Sequence, residues 1–344
     1  MTKYVPARDP FCIAITESTQ VGEARRAATS LAHAVGFDEV LSGQVAIVVT
    51  ELANNIVRHA RSGEVVLRSV SDASDQKATS LEVLALDRGP GIANLGQAFI
   101  DGFSTGSTPG TGLGAVKRLA ADADIFSEPG KGTVVWARFA PRTVKPANSL
   151  LQHSVVCLPK PGEEACGDAW AVESDSSGRS LVIVADGLGH GVQAAAAAGL
   201  AIRTFRENMH RGSAQIIEVV HAALRSTRGA AVAVIELFHD KREIVFTGVG
   251  NISAQVVTGA ISRSMVSHNG TAGVEARRIQ SFTYAWPAES LLVVHSDGLA
   301  SQWNLAQHPG LRFKHPSLIA AVLYRDCRRQ RDDVTVLIAR DAVS

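Results

Sequence analysis

The sequence predicts an α+β protein made of two domains. Its 344 residues are more than a single core of ordinary size requires. Helical patterns come first in the N-terminal part, whereas short strand-like runs dominate the C-terminal part. Between the two parts, residues 140–148 contain two prolines and lack periodicity, as a linker does. We therefore expect domains over residues 1–142 and 150–344, joined by a linker over residues 143–149.

The N-terminal domain should be an α/β sandwich, because helices come first and strands then surround a glycine-rich loop. The first helix is predicted from apolar residues on one helical face, and a glycine follows it. The order is helix, helix, strand, strand, glycine-rich segment, helix and strand, at residues 22–35, 41–61, 64–70, 80–86, 87–114, 115–121 and 132–139.

The C-terminal domain should be a layered α/β/β/α sandwich, because helices interrupt many short strands in blocks. Strand-like runs lie at residues 154–158, 169–173, 181–185, 230–238, 243–247, 252–257, 291–295 and 334–339. Helical patterns lie at residues 190–210, 213–225 and 316–328.

The overall composition excludes several classes of protein. Lys and Arg number 34 and Asp and Glu number 33, so no net charge directs the chain to nucleic acid or to an anionic membrane. The four cysteines match no zinc or redox spacing and are expected to be buried thiols in a reducing cytoplasm. We find no signal-peptide pattern and no apolar stretch of about 18 residues, and therefore expect a cytoplasmic protein without a membrane span.

The first candidate motif places Glu51 and Asn55 four residues apart on a predicted helix, so both side chains share one face. Arg58 and His59 lie about one turn further along. A carboxylate and an amide in this arrangement can handle a cation and a nucleophile together. Such a pair is also common on an ordinary solvated face.

The second motif, Asp87-Arg-Gly89-Pro-Gly91, directly follows an apolar strand. An aspartate at a strand end can accept a hydrogen bond from an amino group such as that of adenine. Glycines allow the backbone to approach a flat ligand closely. A tight turn is the simpler explanation for this motif taken alone.

The third motif, Gly110-Thr-Gly112-Leu-Gly114, leads into a helix, and Gly132-Thr133 opens the last strand of this domain. Backbone amides at a glycine-rich helix start form an anion site that suits phosphates. A flexible loop would give the same pattern, so the order and spacing of all three motifs carry the argument.

In this order the motifs resemble the ATPase fold shared by histidine kinases, gyrase and Hsp90 (GHKL). The segments over residues 101–105 and 112–119 resemble the RsbT type of serine kinase from the general stress pathway. The resemblance covers residues 10–140, and no phosphoacceptor histidine helix precedes it, which disfavours a histidine kinase.

The kinase resemblance implies ATP and Mg²⁺ as cofactors. By position, Asn55 would bind Mg²⁺, and Glu51 would be the general base that takes the proton of a substrate serine. Asp87 would recognise adenine, and Thr133 would support that side of the base. The glycines that would line the base pocket or close over the phosphates are Gly89, Gly91, Gly110, Gly112 and Gly114. These roles suit phosphoryl transfer, which needs positioning, charge neutralisation and a base.

In the C-terminal domain, acidic residues recur beside strands. They are Asp168, Asp186, Asp297 and the pair Asp332-Asp333. Carboxylates that project together from strand ends suit a hard divalent cation. Two such ions can activate a water and bind a phosphate. An Asp-Gly pair after a strand, as at Asp186 and Asp297, can also be a hairpin turn, but four acidic sites in one domain favour metal binding.

These segments resemble the SpoIIE and RsbX branch of the PP2C superfamily of manganese- or magnesium-dependent phosphatases. The residues that carry this resemblance are Gly167-Asp168, residues 184–191, residues 248–251, residues 295–298 and residues 331–335. It spans about residues 150–342 and implies direct hydrolysis of phosphoserine, without a covalent phosphoenzyme.

By this resemblance the domain would hold two Mn²⁺ or Mg²⁺ ions. Asp186 would bridge both ions and the Gly187 carbonyl would complete one site, while Asp297 and Asp332 would hold the second ion. Asp168 would belong to the metal site as well, holding metal-bound water in the first coordination shell or just outside it. Asp168 and Asp186 therefore join Glu51 as catalytic candidates. His190 could give a proton to the leaving serine, although a structural role at a helix start is the simpler alternative.

Three hypotheses follow. The first is a bifunctional enzyme that phosphorylates and dephosphorylates a STAS-type antagonist protein controlling stress or sigma-factor signalling. The second is a domain that senses nucleotide or sequesters a sigma-factor regulator, without kinase activity, joined to an active phosphatase. The third is a scaffold without catalytic activity. No nucleic acid or membrane partner is expected.

Overall fold

A computed structural model describes residues 10–72, 75–95, 112–141, 150–175 and 177–342. Contacts divide the chain into two compact units. The first unit comprises Met1–Ala147 and Phe313–Arg325, and the second comprises Asn148–Arg312 and Asp326–Ser344. The predicted linker over residues 143–149 lies outside the described residues, so the predicted domain limits stay a prediction.

The first unit is built on one antiparallel sheet. Its elements are β1 (Phe11–Ile15), α1 (Ser18–Ala34), α2 (Glu39–Asn55), a π-helical turn (Ile56–Ala60), β2 (Gly63–Asp72), β3 (Asp75–Asp87), α3 (Gly112–Leu119), β4 (Asp122–Glu128) and β5 (Gly132–Phe139). The strand order is β1-β2-β3-β5-β4. Strands β1 and β4 were not predicted from the sequence, because each buries only two side chains and so gives a weak pattern.

Helices α1 and α2 cover one face of this sheet, where they share a core with alternate residues of β2, β3 and β5. The stretch Glu39–Ala60 is 22 residues long with a mean hydropathy of 1.4, long and apolar enough to cross a membrane by composition. This corrects the expectation that no such stretch exists. Val45, Val49 and Leu52 of this stretch are buried in the core of the unit, so it serves as a core helix.

The second unit is built from strands with two helices inserted together. Its elements are β6 (Leu151–Leu158), β7 (Asp168–Ser174), β8 (Arg179–Gly187), α4 (Val192–Glu207), α5 (Ser213–Ala223), β9 (Ala230–Phe238), β10 (Glu243–Val249), β11 (Ser253–Thr258), β12 (Ile261–Ser264), β13 (Ser281–Ala285), β14 (Leu291–His295) and β15 (Val334–Asp341). The predicted strands of this part are present, and β7 and β8 begin or end at the acidic motifs.

Two antiparallel sheets form the second unit, in the orders β13-β10-β9-β8-β7 and β12-β11-β14-β15-β6. Val184, Ile235 and Val294 belong to the core between the sheets. A second core, which includes Ile183 and Phe205, joins the first sheet to α4 and α5. The α/β/β layering places the ends of β7, β8, β14 and β15 close together, as the site requires.

The predicted helix near residues 316–328 is present as α6 (Pro316–Cys327). Residues 313–325 group with the first unit, where they contact the sheet face opposite α1 and α2. The His315 ring stacks on Trp136 with 3.7 Å between ring centroids. Near the end of this segment, the Arg325 guanidinium donates a hydrogen bond to the Asp87 carbonyl oxygen at 3.2 Å.

The cysteines form no disulfide in the described residues. Cys166 is buried, and Cys157 and Cys327 are half-buried. The expectation of buried thiols is wrong for Cys12, which is exposed because it occupies an outward position on the edge strand β1.

Two glycines near β4 give a matched test of local packing. Gly91 and Gly130 both adopt positive φ, 72° and 78°, which disfavours any residue with a Cβ. A Cβ at Gly91 would lie 2.1 Å from the Glu128 carbonyl oxygen, whereas a Cβ at Gly130 would meet nothing within 4 Å. Gly130→Ala should therefore destabilise the protein by about 1 kcal/mol, and Gly91→Ala by several times more. Thermal unfolding of both variants checks this, and equal losses would contradict it.

Candidate active sites

The first motif lies at the C-terminal end of α2, where Glu51 and Asn55 are one turn apart with partly exposed side chains. The α-helix ends at Asn55 and continues as the π-helical turn, whose Arg58 and His59 are exposed. Such turns are rare and often occur at functional sites. Arg61 ends the helix with a positive φ of 64°.

Asp87, the last residue of β3, anchors the second motif. Its Oδ1 accepts hydrogen bonds from the backbone N–H of Gly89 at 2.7 Å and of Thr133 at 3.2 Å. Burial raises the pKa of this carboxyl group above its ordinary value, and these two hydrogen bonds act in the opposite direction. The carboxylate is therefore held in a fixed orientation by the loop and by β5.

The glycines of the second motif are required by contacts within the protein. A Cβ at Gly89 would lie 2.8 Å from the Ala60 Cβ at the end of the π-helical turn. The Gly91 position faces the Glu128 carbonyl oxygen in the same way. These contacts bring the first two motifs together, and they explain the glycines without a ligand. Close approach of adenine to this loop stays a prediction.

Ser127 is a residue that the sequence analysis missed. Its Oγ accepts a hydrogen bond from the Ile92 backbone N–H at 2.8 Å and lies 2.9 Å from the Thr133 Oγ1. Ser127 thus connects the Asp87 loop to β5. A prediction of β4 would have placed Ser127 opposite Thr133 and so identified it, but this strand was not predicted.

The third motif is described only in part. Gly112 begins α3 and Gly114 is buried in its first turn. Helix α3 packs against α2, the helix that carries Glu51. Gly110 and the segment over residues 101–105 lie outside the described residues. Within the described residues, the candidate ATP-site residues lie on elements that contact one another.

In the second unit, Asp168 and Asp186 face each other across neighbouring strands, as a cross-strand pair of β7 and β8. Asp297 follows β14 by two residues, and the Asn251 side-chain amide donates a hydrogen bond to its Oδ2 at 2.6 Å. Asp332 comes two residues before β15 and is half-buried. The predicted acidic residues therefore meet at one place, although they are distant in sequence.

The carboxylates repel one another. Burial, followed by the charges of Asp168, Asp297 and the adjacent Asp332 and Asp333, raises the pKa of Asp186 far above its ordinary value. Burial likewise raises the pKa of Asp168, against the hydrogen bond from Ser296. A group of carboxylates that share one buried region is expected to bind either protons or cations.

Asp168 shows where a cation would fit. Its Oδ2 accepts a hydrogen bond from the Ser296 hydroxyl at 2.7 Å, and the Ser296 Oγ accepts one from the Thr335 backbone N–H at 2.9 Å. Its Oδ1 is buried and has no hydrogen-bond partner in the described part of the chain. A buried carboxylate oxygen in this state suits a hard divalent cation.

The described side chains alone do not complete a metal site, because no three His, Cys, Asp or Glu side chains among them converge on one metal position. The neighbouring carboxylates nevertheless raise the pKa of Asp186, and Asp332 raises that of Asp297, so these side chains lie within electrostatic reach of one another. Carbonyl oxygens and water are normal ligands of Mg²⁺, which rarely has a cage made only of protein side chains. The donor set therefore fits Mg²⁺ or Mn²⁺.

Neither Asp-Gly pair is a hairpin turn. Gly187 ends β8, and a Cβ there would lie 2.2 Å from the Ala194 carbonyl oxygen of α4. A Cβ at Gly298 would lie 1.9 Å from the Asp333 carbonyl oxygen. Both glycines are needed where the backbone beside an acidic residue packs against another element.

His190 and Asp333 have structural contacts beside this cluster. His190 precedes α4 by two residues, and its Nδ1 lies 2.6 Å from Oε1 of Glu163, a residue that the sequence analysis did not single out. Asp333 is buried, and its Oδ1 accepts a hydrogen bond from the Lys160 backbone N–H at 2.8 Å. These contacts hold the loop over residues 160–167 beside the carboxylates.

Two family models match the chain: residues 15–139 match the histidine kinase-like ATPase domain, and residues 176–341 match Stage II sporulation protein E (SpoIIE). Serine/threonine-protein kinase RsbT of Bacillus subtilis (strain 168) is 33% identical over 129 residues, which are 38% of this chain and 95% of RsbT. The chain belongs to the RsbT family of histidine kinase-like ATPases. The kinase-type resemblance of its N-terminal part is thus confirmed.

The C-terminal part has a second relative, phosphoserine phosphatase RsbX of Bacillus subtilis (strain 168). It is 26% identical over 155 residues, which are 44% of this chain and 76% of RsbX. A solved structure described as "The bacterial stressosome: a modular system that has been adapted to control secondary messenger signaling" is 29% identical. It covers 55% of this chain and 99% of its own, with a TM-score of 0.52. The C-terminal part is thus similar to SpoIIE and to the phosphatase RsbX, and the prediction of a two-domain α+β protein is confirmed.

The carboxylate cluster should make the stability of the metal-free protein depend on pH. Because the pKa of Asp186 is raised in the folded state, the folded protein binds more protons than the unfolded chain above the ordinary pKa of aspartate. The melting temperature in EDTA should therefore fall as the pH rises from about 5 to about 9. Asp186→Asn should reduce this fall, and Mg²⁺ should raise the melting temperature of the wild type more at high pH.

Asp240→Asn is the control for this measurement, because Asp240 is an exposed aspartate in the β9–β10 turn of the same unit. It should follow the wild-type curve. Two outcomes would contradict the account. One is a wild-type melting temperature that stays constant across this pH range. The other is a lower melting temperature of Asp186→Asn than of the wild type at high pH.

Proposed function

We propose that the protein is a bifunctional regulator whose two catalytic units act in opposite directions on phosphoserine. The C-terminal unit hydrolyses phosphoserine on a partner protein, and the N-terminal unit transfers phosphate from ATP to a serine or threonine. The observation that carries the phosphatase half is the cluster of carboxylates around Asp186, in which Asp168 is its cross-strand partner and the neighbouring charges raise its pKa. As predicted from the sequence, the kinase domain would span residues 1–142 and the phosphatase domain residues 150–344, although residues 313–325 group with the first compact unit.

Some residues of the phosphatase site would bind the metal ions, and others orient the carboxylates that bind them. Asp186, Asp297, Asp332 and the Gly187 carbonyl would hold two Mn²⁺ or Mg²⁺ ions, with Asp168 beside them. When bound, such ions lower the pKa of water and polarise the phosphoryl group. The Ser296 hydroxyl, itself held by the Thr335 N–H, orients the Asp168 carboxylate. Asn251 orients Asp297 in the same way.

The kinase half rests on the residues around α2. Asn55 would bind the Mg²⁺ of ATP, Glu51 would accept the proton of the substrate hydroxyl, and Asp87 would hold the adenine amino group. Phosphoryl transfer needs a base near the nucleophile and fixed ligand geometry. The two hydrogen bonds to the Asp87 Oδ1 support such a fixed geometry.

The partner that this proposal favours is a STAS-type antagonist protein in a cytoplasmic partner-switching pathway for stress or sigma-factor control. Its support is that the chain combines homologues of the kinase RsbT and the phosphatase RsbX. A sigma-factor regulator is the alternative partner of the N-terminal unit.

The phosphatase proposal predicts metal-dependent hydrolysis that fails without Asp186. The purified chain should hydrolyse p-nitrophenyl phosphate and a phosphoserine peptide with Mn²⁺ or Mg²⁺, and EDTA should stop it. Asp186→Asn should lower kcat/KM by about 100-fold or more, because the central carboxylate is lost. Asp240→Asn should retain full activity. Equal activity of wild type and Asp186→Asn would refute the assignment of the site.

The kinase proposal predicts that Glu51→Ala abolishes phosphorylation and spares ATP binding. Transfer from radiolabelled ATP to a purified STAS-domain protein should fall by about 100-fold or more, because the base contributes to the transfer step. The affinity for ATP, measured by calorimetry, should stay within about twofold. Glu39→Ala at the exposed start of the same helix is the control.

Two outcomes would contradict the kinase proposal. If phosphorylation survives Glu51→Ala, the general base is a different residue. If the wild type binds ATP but transfers no phosphate, the N-terminal unit is a nucleotide-binding module, and only the phosphatase half of the proposal stands.

A further inference from the structure

Three large apolar side chains are exposed around the segment that carries Asp186. Leu188 is 56% exposed, Val192 is 76% exposed and Val274 is 65% exposed. Exposed apolar side chains that cluster beside a functional site often mark a surface where another molecule binds. Leu188 and Val192 follow Asp186 by two and six residues.

Gly229 connects Leu188 to Val274. The Leu188 backbone N–H donates a hydrogen bond to the Gly229 carbonyl oxygen at 3.0 Å. A Cβ on Gly229 would lie 3.1 Å from the Val274 Cγ2. The loop that carries Val274 is fixed by a hydrogen bond from the Gly273 N–H to the His221 Nδ1 at 3.0 Å. Leu188 and Val274, both exposed, therefore lie against the same residue, Gly229.

The turn between Leu188 and Val192 is held in place. His190 lies in this turn, with its Nδ1 2.6 Å from the Glu163 Oε1. Glu163 also lies against Gly191, where a Cβ would be 3.0 Å from its Oε2. A fixed turn presents its apolar side chains at a low cost in conformational entropy.

Two exposed arginines lie in the segment that leads to Gly229. Arg225 and Arg228 lie in the segment just before Gly229, and the Arg228 Nη1 is 3.2 Å from the place a Cβ on Gly189 would occupy. Within the described ranges, neither guanidinium has a carboxylate within ion-pair distance. Arg228 thus lies against Gly189, three residues after Asp186, where its positive charge would attract an acidic polypeptide that the carboxylates repel.

We propose that these five residues form the docking patch for the phosphoprotein substrate of the C-terminal unit. The docking patch consists of Leu188, Val192, Val274, Arg225 and Arg228. Its occupant is an acidic segment with an apolar side chain beside the phosphoserine. This inference rests on the proposed phosphatase function and assigns its substrate specificity.

The position of the patch beside Asp186 supports this occupant. A phosphoserine side chain is short, so a phosphate held by divalent ions at Asp186 would bring the substrate backbone close to Leu188. The apolar neighbour of the phosphoserine can then pack on Leu188, Val192 and Val274, and acidic flanking residues can pair with the arginines.

Two synthetic phosphoserine peptides test the proposal on the full chain. One has leucines beside the phosphoserine and glutamates further out, and the other has glycines and lysines at these positions. The wild type should hydrolyse the first with a kcat/KM at least about tenfold higher. Val274→Asp should raise KM for the first peptide, and Arg225→Glu combined with Arg228→Glu should reverse the preference.

Ile261→Asp is the matched control, because Ile261 is 74% exposed on β12 and lies outside the docking patch. It should keep the wild-type preference. Hydrolysis of p-nitrophenyl phosphate, which lacks a polypeptide, should stay within about twofold in all variants. Equal kcat/KM for both peptides, or a Val274→Asp variant with wild-type kinetics, would overturn the docking patch. Loss of p-nitrophenyl phosphate hydrolysis by the wild type would instead overturn the proposed phosphatase.

Discussion

Repulsion between buried carboxylates is the constraint on which the phosphatase unit depends. Asp168 and Asp186 are a cross-strand pair, and Asp297 and Asp332 lie within electrostatic reach of Asp186. Like charges directly opposite each other destabilise a sheet, so the fold tolerates this pair only with bound protons or cations. The two sheets, with Gly187 and Gly298 packed against other backbone segments, hold the charges together. Metal binding and folding stability are therefore linked in this unit.

The ATPase unit uses a different arrangement. Asp87 is fixed by backbone hydrogen bonds from Gly89 and Thr133, and its own carbonyl oxygen accepts a hydrogen bond from Arg325. Arg325 belongs to a segment that is far away in sequence but lies in the same compact unit. Opposed kinase and phosphatase activities in one chain would consume ATP without net effect, so the proposed function requires control of the two sites.

The sequence predicted most elements, because their apolar patterns are strong and their motifs follow strand ends. It also predicted that the acidic residues lie together, because each of their motifs adjoins an apolar strand. It missed β1, β4, β12, β13 and Ser127, since strands that are largely exposed or half-buried give little periodic signal. The contacts of His315 and Arg325 with the first unit could not be predicted, because the tertiary position of a buried helix depends on surface complementarity rather than on its own pattern.

The most direct test of the central claim is the number of protons released when metal binds. Isothermal titration of the metal-free chain with Mg²⁺, in buffers of different ionisation enthalpy near about pH 8, gives this number. Because the pKa of Asp186 is raised in the metal-free protein, binding should release protons, and Asp186→Asn should release fewer. Binding of Mg²⁺ without proton release, or no binding at all, would contradict the account.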